Sequence, residues 1–205
     1  MSHYFHAPTG PEDRRTIECR FWETDWRFTT ANGVFSADAL DLGTAVLLRT
    51  HTPRPDARRL LDLGCGYGPL AVALATACPG ARVDAVDVNP RALALTRVNA
   101  AAHGVGDRVH ALTPEEADPD ARYDEIWSNP PIRIGKEALH ALLTTWLGRL
   151  AEGGVARLVV GRNLGADSLQ RWLVGEGWRC DRTASAKGFR VFAVTDHERF
   201  ENRLD

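Results

Sequence analysis

Along residues 59–195 the chain alternates short apolar runs with longer stretches of helical period. Arg59-Leu60-Leu61-Asp62-Leu63 is a compact apolar run stopped by glycine. Residues 70–78 are rich in Ala, Leu and Val and end at Pro79-Gly80, which predicts a helix with a sharp stop. Residues 83–88, carrying Val83, Val86 and Val88, read as a strand. Asn89-Pro90 then joins a good N-cap to a residue suited to the first helical position, so a helix is predicted to run to His103 and stop at Gly104. A strand near Val109, an acidic loop over 115–120 and a strand over 123–127 follow, the last running into Ser128-Asn129-Pro130-Pro131. Leu139, Leu142, Leu143, Trp146, Leu147 and Leu150 recur on one helix face, which predicts a helix reaching Leu150 and broken by Gly153-Gly154. A strand over 155–160, a helix over 168–174 and two antiparallel strands over 178–183 and 189–195 complete the pattern.

Strands separated by helices need crossover connections, so the expected class is α/β. The expected architecture is a Rossmann-like, doubly wound, mostly parallel sheet with helices on both faces. Ligands of such sheets bind beyond the carboxyl ends of the strands. The proline-containing stretch over 51–56 marks off an N-terminal extension, residues 1–52, from a core domain, residues 53–205. The extension is expected to form a short β-hairpin and a helix packed on that domain. Within it Trp22 and Trp26 alternate with Arg20 and Arg27. That pattern suits either an RNA-binding stripe or a hairpin packed on the core or on a partner subunit.

Composition narrows the class. The chain has 205 residues, 44% hydrophobic and 25% charged, enough for one sizeable core and too ordered a mixture for global disorder. No apolar run approaches the roughly 18–20 residues that cross a membrane. Residues 1–6 lack the basic-then-apolar order of a secretory leader, so the expected location is the cytoplasm. Cys19, Cys65, Cys78 and Cys180 stand far apart, which indicates neither a zinc knuckle nor a redox pair nor a disulfide framework. The histidines show no metal spacing. Net charge is −2, divided as −1 over residues 1–36, −4 over 37–132 and +3 over 133–205. This excludes a histone-like binder but permits a polyanion held by one local face. Of the 25 basic residues only Lys136 and Lys187 are lysine.

The chemistry-bearing residues follow the strands. Gly64-Cys65-Gly66-Tyr67-Gly68 lets the backbone turn tightly and approach a ligand closely. Pro69 removes an amide donor where a pyrophosphate would dock, so the loop suits a cofactor without one. Asp87 ends the second strand of the core, 23 residues after Gly64, where a carboxylate can accept from both ribose hydroxyls of a nucleoside. After the fourth strand, two prolines stiffen the loop and aim the Asn129 side chain and the Pro130 carbonyl as acceptors. Paired acceptors suit an exocyclic amino group, whose delocalised lone pair must be localised before it attacks.

Asp62-Leu63-Gly64-Cys65-Gly66-Tyr67-Gly68 and Asp87-Val88-Asn89-Pro90 resemble the first two motifs of the class I S-adenosylmethionine-dependent methyltransferases. The resemblance implies a seven-stranded sheet, S-adenosyl-L-methionine as cofactor, Asp62 and the backbone of residues 64–68 around its methionine moiety, and Asp87 on its ribose. Cys65, Val88, Thr44 and Asn129 are also placed among the cofactor-binding residues. Thr113, counted back from Asn129, or nearby Glu115 stands where relatives hold the adenine amino group.

Asn129-Pro130-Pro131 resembles the catalytic signature of methyltransferases acting on adenine N6, guanine N2 or glutamine N5, with Ile132 in place of the usual aromatic. Residues 28–194 resemble the small-domain family of ribosomal RNA guanine-N2 methyltransferases, on Thr29 to Ser36, on Leu40-Asp41-Leu42-Gly43-Thr44, and on Lys187-Gly188-Phe189-Arg190-Val191. The implied activity is methylation of guanine N2 in ribosomal RNA by a monomer or homodimer. Glutamine N5 of a protein, a small molecule, and a non-catalytic cofactor-binding subunit are the alternatives. Phe35, Ser36, Ile132, Arg133 and Lys136 are the substrate-binding candidates. Phe35 and Ser36 equally suit a core residue and the N-cap of a helix at Ala37. Arg133 and Lys136 suit phosphate contacts or a solvated first helical turn.

Overall fold

A computed structural model describes residues 10–196 of the chain. Residues 1–6, read above for a leader, lie outside the described residues. The chain opens with an antiparallel hairpin, β1 (Arg14–Phe21) and β2 (Thr24–Ala31). Trp22 and Glu23 form its two-residue turn, both with positive φ (48° and 58°), the geometry that matches strand twist. Ile17, Phe21, Trp26 and Phe28 are buried on one face. Trp26 stacks on Phe21 at 4.7 Å and donates its indole N–H to the Phe21 carbonyl, and Trp22 donates to the His51 carbonyl. The Trp22/Trp26 pattern is thus a hairpin packed on the core, each buried aromatic contributing roughly 1.5–3 kcal/mol.

Seven further strands form the main sheet: β3 (Arg59–Leu63), β4 (Arg82–Val86), β5 (Val109–Leu112), β6 (Tyr123–Ser128), β7 (Leu150–Gly161), β8 (Trp178–Ala186) and β9 (Phe189–Asp196). Their order is β5-β4-β3-β6-β7-β9-β8. β3 pairs in parallel with β4 and β6, while β9 is antiparallel to both its neighbours. Five helices cover the sheet: α1 (Leu42–Thr50), α2 (Pro69–Ala77), α3 (Pro90–Ala102), α4 (Lys136–Leu147) and α5 (Ala166–Gly175). Alternation along β3 sends Leu60 into one apolar cluster, with α1, α2, α3 and the hairpin. It sends Leu61 and Leu63 into a second, with α4 and α5. This is the expected doubly wound, mostly parallel seven-stranded class. No helix of the described residues is long and apolar enough to cross a membrane.

Two asparagines fasten the N-terminal segment to the core. The Asn99 side chain accepts from Thr29 N–H and donates to the carbonyls of Thr29 and Tyr67. Asn89 caps α3 by accepting from Arg91 N–H and donates to the Gly33 carbonyl. Two boundaries differ from the pattern-based expectation. α4 stops at Leu147, and Leu150 starts β7. Gly153-Gly154 does not separate helix from strand but lies inside β7, at a bulge against β6. A Cβ on Gly154 would come 2.8 Å from the Tyr123 carbonyl, so glycine is what lets the bulged chain pass.

Candidate active site

The carboxyl ends of β3 and β6 lie side by side where the strand order reverses, and the Ser128 hydroxyl donates across to the Leu63 carbonyl at 2.7 Å. A doubly wound sheet opens a crevice at such a point. Here it holds a cavity of about 610 Å³, bordered by Gly64 and Gly66 after β3, Asp87 and Val88 after β4, and Asn129, Pro130 and Pro131 after β6. A side chamber of about 30 Å³ reaches Thr44, Cys65 and Tyr67 and shares Gly64, Gly66 and Asn129 with it.

Gly64 and Gly66 adopt positive φ (78° and 57°), and a Cβ built on either meets nothing within 4 Å. The space beside this backbone is cavity, a cradle that side chains would otherwise fill. Gly68 also has positive φ, but a Cβ there would come 2.9 Å from the Thr96 side chain. Gly68 therefore lets α2 pack on α3 and does not line the cavity.

Asp87 borders the cavity and braces the loop at once. One carboxylate oxygen accepts from Gly66 N–H and the other from Asn89 N–H, each at 2.9 Å. Burial raises its pKa, and these backbone donors oppose the rise.

Asp62 is wholly buried beneath the loop. Its Oδ2 accepts from Ala71 N–H at 2.9 Å, while Oδ1 has no partner. Burial pushes its carboxyl up to about 8, the Ala71 donor working against it and nearby Asp87 with it. An orphaned buried acceptor under a glycine cradle fits a ligand carrying an ammonium group, such as an amino-acid moiety. Because the folded value lies above the ordinary carboxylate value of ~3.9, this group's contribution to stability is complete below about pH 4 and is lost as pH rises through about 8. Asp62 is thus expected to lower the melting temperature of the ligand-free protein as pH rises from about 4 to about 8, against the opposite contribution of His51, whose imidazole is pushed down to about 4 by burial. Asp62→Asn should remove that downward slope in thermal scans across the range. An unchanged slope would place its origin elsewhere.

Asn129 has its amide orientation set by a neighbour outside the loop. Its Nδ2 donates to Asp41 Oδ2 at 2.7 Å and to Thr44 Oγ1 at 3.2 Å. Asp41 is the N-cap of α1, accepting from Thr44 N–H at 2.9 Å. A carboxylate only accepts, so the nitrogen must face Asp41 and Oδ1 remains the acceptor of the amide. Pro131 (φ −74°, ψ 73°) centres a tight turn in which Ile132 N–H donates to the Pro130 carbonyl at 2.8 Å. The Pro130 oxygen keeps one lone pair beyond that bond.

Other predicted residues divide. Phe35, Ser36, Ile132 and Arg133 line the cavity. Phe35 is 50% exposed, which excludes the core reading. Ser36 caps no helix: it has positive φ (55°), and its hydroxyl donates to the Ala39 carbonyl in a turn, since α1 begins only at Leu42. Thr113 is engaged with Glu116 in a local turn, and Pro114 is the residue of that segment at the cavity. Glu115 is exposed and outside the lining. Lys136 is exposed at the start of α4, also outside the lining. Cys65 is buried against Thr96, its thiol raised well above the ordinary range chiefly by burial, which suits a filler and not a nucleophile. Pattern reading missed Asp41, Leu164 and Phe189, all brought to this place. The available signals were Asp41-Leu42-Gly43-Thr44, an N-cap ahead of an apolar run, and the family-like segment Lys187-Gly188-Phe189-Arg190-Val191.

A glycine cradle over a buried acid, a carboxylate at the next strand end and a rigid Asn-Pro-Pro loop on one cavity define a Rossmann-like group-transfer fold built for a nucleoside cofactor. Residues 25–193 match the family model described as methyltransferase small domain. The chain is 30% identical over 168 residues to YbxB of Bacillus subtilis, covering 81% of this chain and 84% of that protein. It is 38% identical over 139 residues to ribosomal RNA small subunit methyltransferase C of Citrobacter koseri, covering 66% of this chain and 40% of that protein. A solved structure, the T. thermophilus 16S rRNA N2 G1207 methyltransferase in complex with AdoMet and guanosine, superposes with a TM-score of 0.77 at 26% identity, over 92% of this chain and 52% of that one. The chain thus spans about 40% of the length of the curated ribosomal RNA methyltransferase and about half that of the solved one. The chain belongs to the methyltransferase small-domain family.

Proposed function

We propose that this methyltransferase transfers the methyl group of S-adenosylmethionine to the exocyclic N2 amino group of a guanine in ribosomal RNA, in the cytoplasm. The observation that carries the reading is Asn129, whose amide nitrogen is committed to Asp41 and Thr44 so that its oxygen is left as an acceptor at the cavity. When bound, the cofactor supplies an electrophilic methyl on a sulfonium. Its amino-acid ammonium suits the orphaned Asp62 oxygen, its ribose suits Asp87, and Val88 and Pro114 border the remainder of that side.

The chain's own part is positioning. Asn129 Oδ1 and the second lone pair of the Pro130 carbonyl accept from the two N–H bonds of the amino group. That draws its lone pair out of the ring and points it along the line of attack. The rigid turn at Pro131 holds both acceptors without reorganisation. After transfer the nitrogen is cationic until its surplus proton passes to solvent water, and two oxygen acceptors stabilise that charge meanwhile. Arg133 at the rim offers a cation to the RNA backbone. The solved relative is a 16S rRNA N2 methyltransferase in complex with guanosine, and the curated relative from Citrobacter koseri is a ribosomal RNA methyltransferase. The first supports the choice of guanine N2, and the second supports ribosomal RNA as the acceptor.

The test is transfer of tritiated methyl from S-adenosylmethionine to protein-free ribosomal RNA and to intact small ribosomal subunits, followed by nucleoside mass spectrometry. N2-methylguanosine appearing with the enzyme, and missing from RNA of a deletion strain, is expected. Label found only on protein glutamine, or on no macromolecule, would overturn the reading.

A further inference from the structure

The loop position that faces the target in the resembled signature is Ile132, which has no flat face on which a base can stack. Ile132 lines the cavity, yet the same cavity carries two phenylalanines from elsewhere in the chain, Phe35 and Phe189. Phe189 is placed by three neighbouring elements. Lys187 and Gly188 form the β8–β9 turn, both with positive φ (50° and 80°), which sets Phe189 as the first residue of β9. Phe189 pairs with Gly161 of β7 and Ala186 of β8. Its Cε1 and Cδ1 lie where a Cβ on Gly43 would come within 2.9 and 3.1 Å, the same Cβ approaching Asp41 Oδ2 at 3.0 Å. One edge of the ring therefore packs on the first turn of α1, beside the carboxylate that orients Asn129.

A second glycine serves the same wall. A Cβ on Gly161 would come 3.0 Å from Cδ1 and 3.1 Å from Cγ of Leu164, so Leu164 folds back over Gly161, the strand partner of Phe189. Gly161, Leu164 and Phe189 all line the cavity, and Leu164 is 48% exposed. The two positions where a missing side chain admits an apolar one, Gly43 and Gly161, thus flank a single wall next to Asn129. Aliphatic and aromatic area left in contact with solvent at a cavity mouth is area that a bound flat ring covers.

We infer that the stacking face for the target base is supplied by Phe189, with Leu164 closing beside it, in place of Ile132. The slot so formed takes a flat aminated ring, a nucleobase turned out of its stack or already single-stranded, in preference to a flexible side-chain amide. This rests on the proposed function and deepens it, because it names the residues that make the acceptor a base.

The test compares Phe189→Leu, which keeps apolar bulk against Gly43, with Phe189→Tyr, which restores the ring, Leu164→Ala and Ile132→Ala. Ribosomal RNA is the methyl acceptor. Phe189→Leu is expected to raise KM for RNA about tenfold, with a smaller change in kcat and the S-adenosylmethionine dissociation constant within about twofold of wild type. Phe189→Tyr should recover most of that loss. Leu164→Ala, at an exposed position where folding is not at stake, should raise KM about threefold. Ile132→Ala should cost less than Phe189→Leu. If RNA is methylated by wild type and by Phe189→Leu with equal KM, or if Ile132→Ala carries the larger loss, this inference falls and the proposed function stands. If Phe189→Leu fails to fold, wild-type KM for both Phe189→Tyr and Ile132→Ala together with a raised KM for Leu164→Ala supports it, and wild-type KM for Leu164→Ala overturns it. Methyl recovered only on protein overturns the proposed function first.

Discussion

Asn129→Ala is expected to lower kcat by about two to three orders of magnitude while leaving the dissociation constant for S-adenosylmethionine within about threefold of wild type. The substitution deletes the acceptor aimed at the amino group and leaves untouched Gly64, Gly66 and Asp87, which border the cavity, and Asp62 buried beneath the loop. It also frees Asp41, but that carboxylate keeps its bond from Thr44 N–H, so the α1 cap survives and the fold with it. Asn129→Asp sharpens the result. A carboxylate there would face Asp41 without the intervening N–H donors and would turn away or take up a proton. Its turnover should be no better than that of the alanine variant despite near-identical shape. Equal loss of cofactor affinity and turnover in Asn129→Ala, read by calorimetry and single-turnover methyl transfer, would make the residue structural.

The reach of the sequence differed from element to element for physical reasons. The sheet was legible because each core strand is a short apolar run between turn residues, and because Asn89-Pro90 and Pro79-Gly80 mark helix ends by local chemistry alone. The end of α4 was not. Leu150 continues the helical spacing by coincidence, whereas its burial comes from pairing with Tyr123 across the sheet. Gly153-Gly154 reads locally as a break, and only the Tyr123 carbonyl close to Gly154 shows that it accommodates a bulge.

The same division runs through the candidate site. Gly64, Gly66, Asp87, Asn129 and the two prolines could be picked out because a loop after a strand announces itself. Asp41 acts on Asn129 across 88 residues of sequence, and no spacing rule reaches that far. Phe189 and Leu164 likewise come to the cavity through sheet order, β9 lying beside β7, which a strand pattern alone does not settle. Residue counting put Thr113 at the cofactor side. The turn closed by Glu116 engages Thr113 and leaves Pro114, one position on, as the residue of that segment at the cavity.

Asp87→Ala is expected to weaken S-adenosylmethionine about 100-fold, the largest loss of cofactor affinity of any single change at this site. In the proposed complex the carboxylate accepts from two ribose hydroxyls, and hydrogen bonds to a charged acceptor are worth about 1.5–3 kcal/mol each. About 1.4 kcal/mol is tenfold in binding, so two such bonds account for the figure. The residue also fixes the donors on either side of it. Without its oxygens, Gly66 N–H and Asn89 N–H lose their 2.9 Å partners, and the glycine cradle is no longer held in its binding shape. Asp87→Asn separates the two contributions. The amide keeps one acceptor for the loop but turns an NH₂ group toward the second backbone donor, so it should bind more tightly than Ala and remain at least tenfold weaker than wild type. The ligand-free melting temperature should move little by comparison, because removing the carboxylate also removes the burial cost that raises its pKa. Titration calorimetry with S-adenosylmethionine reads the affinities directly. Affinity within threefold of wild type in Asp87→Ala would show that the ribose is held elsewhere.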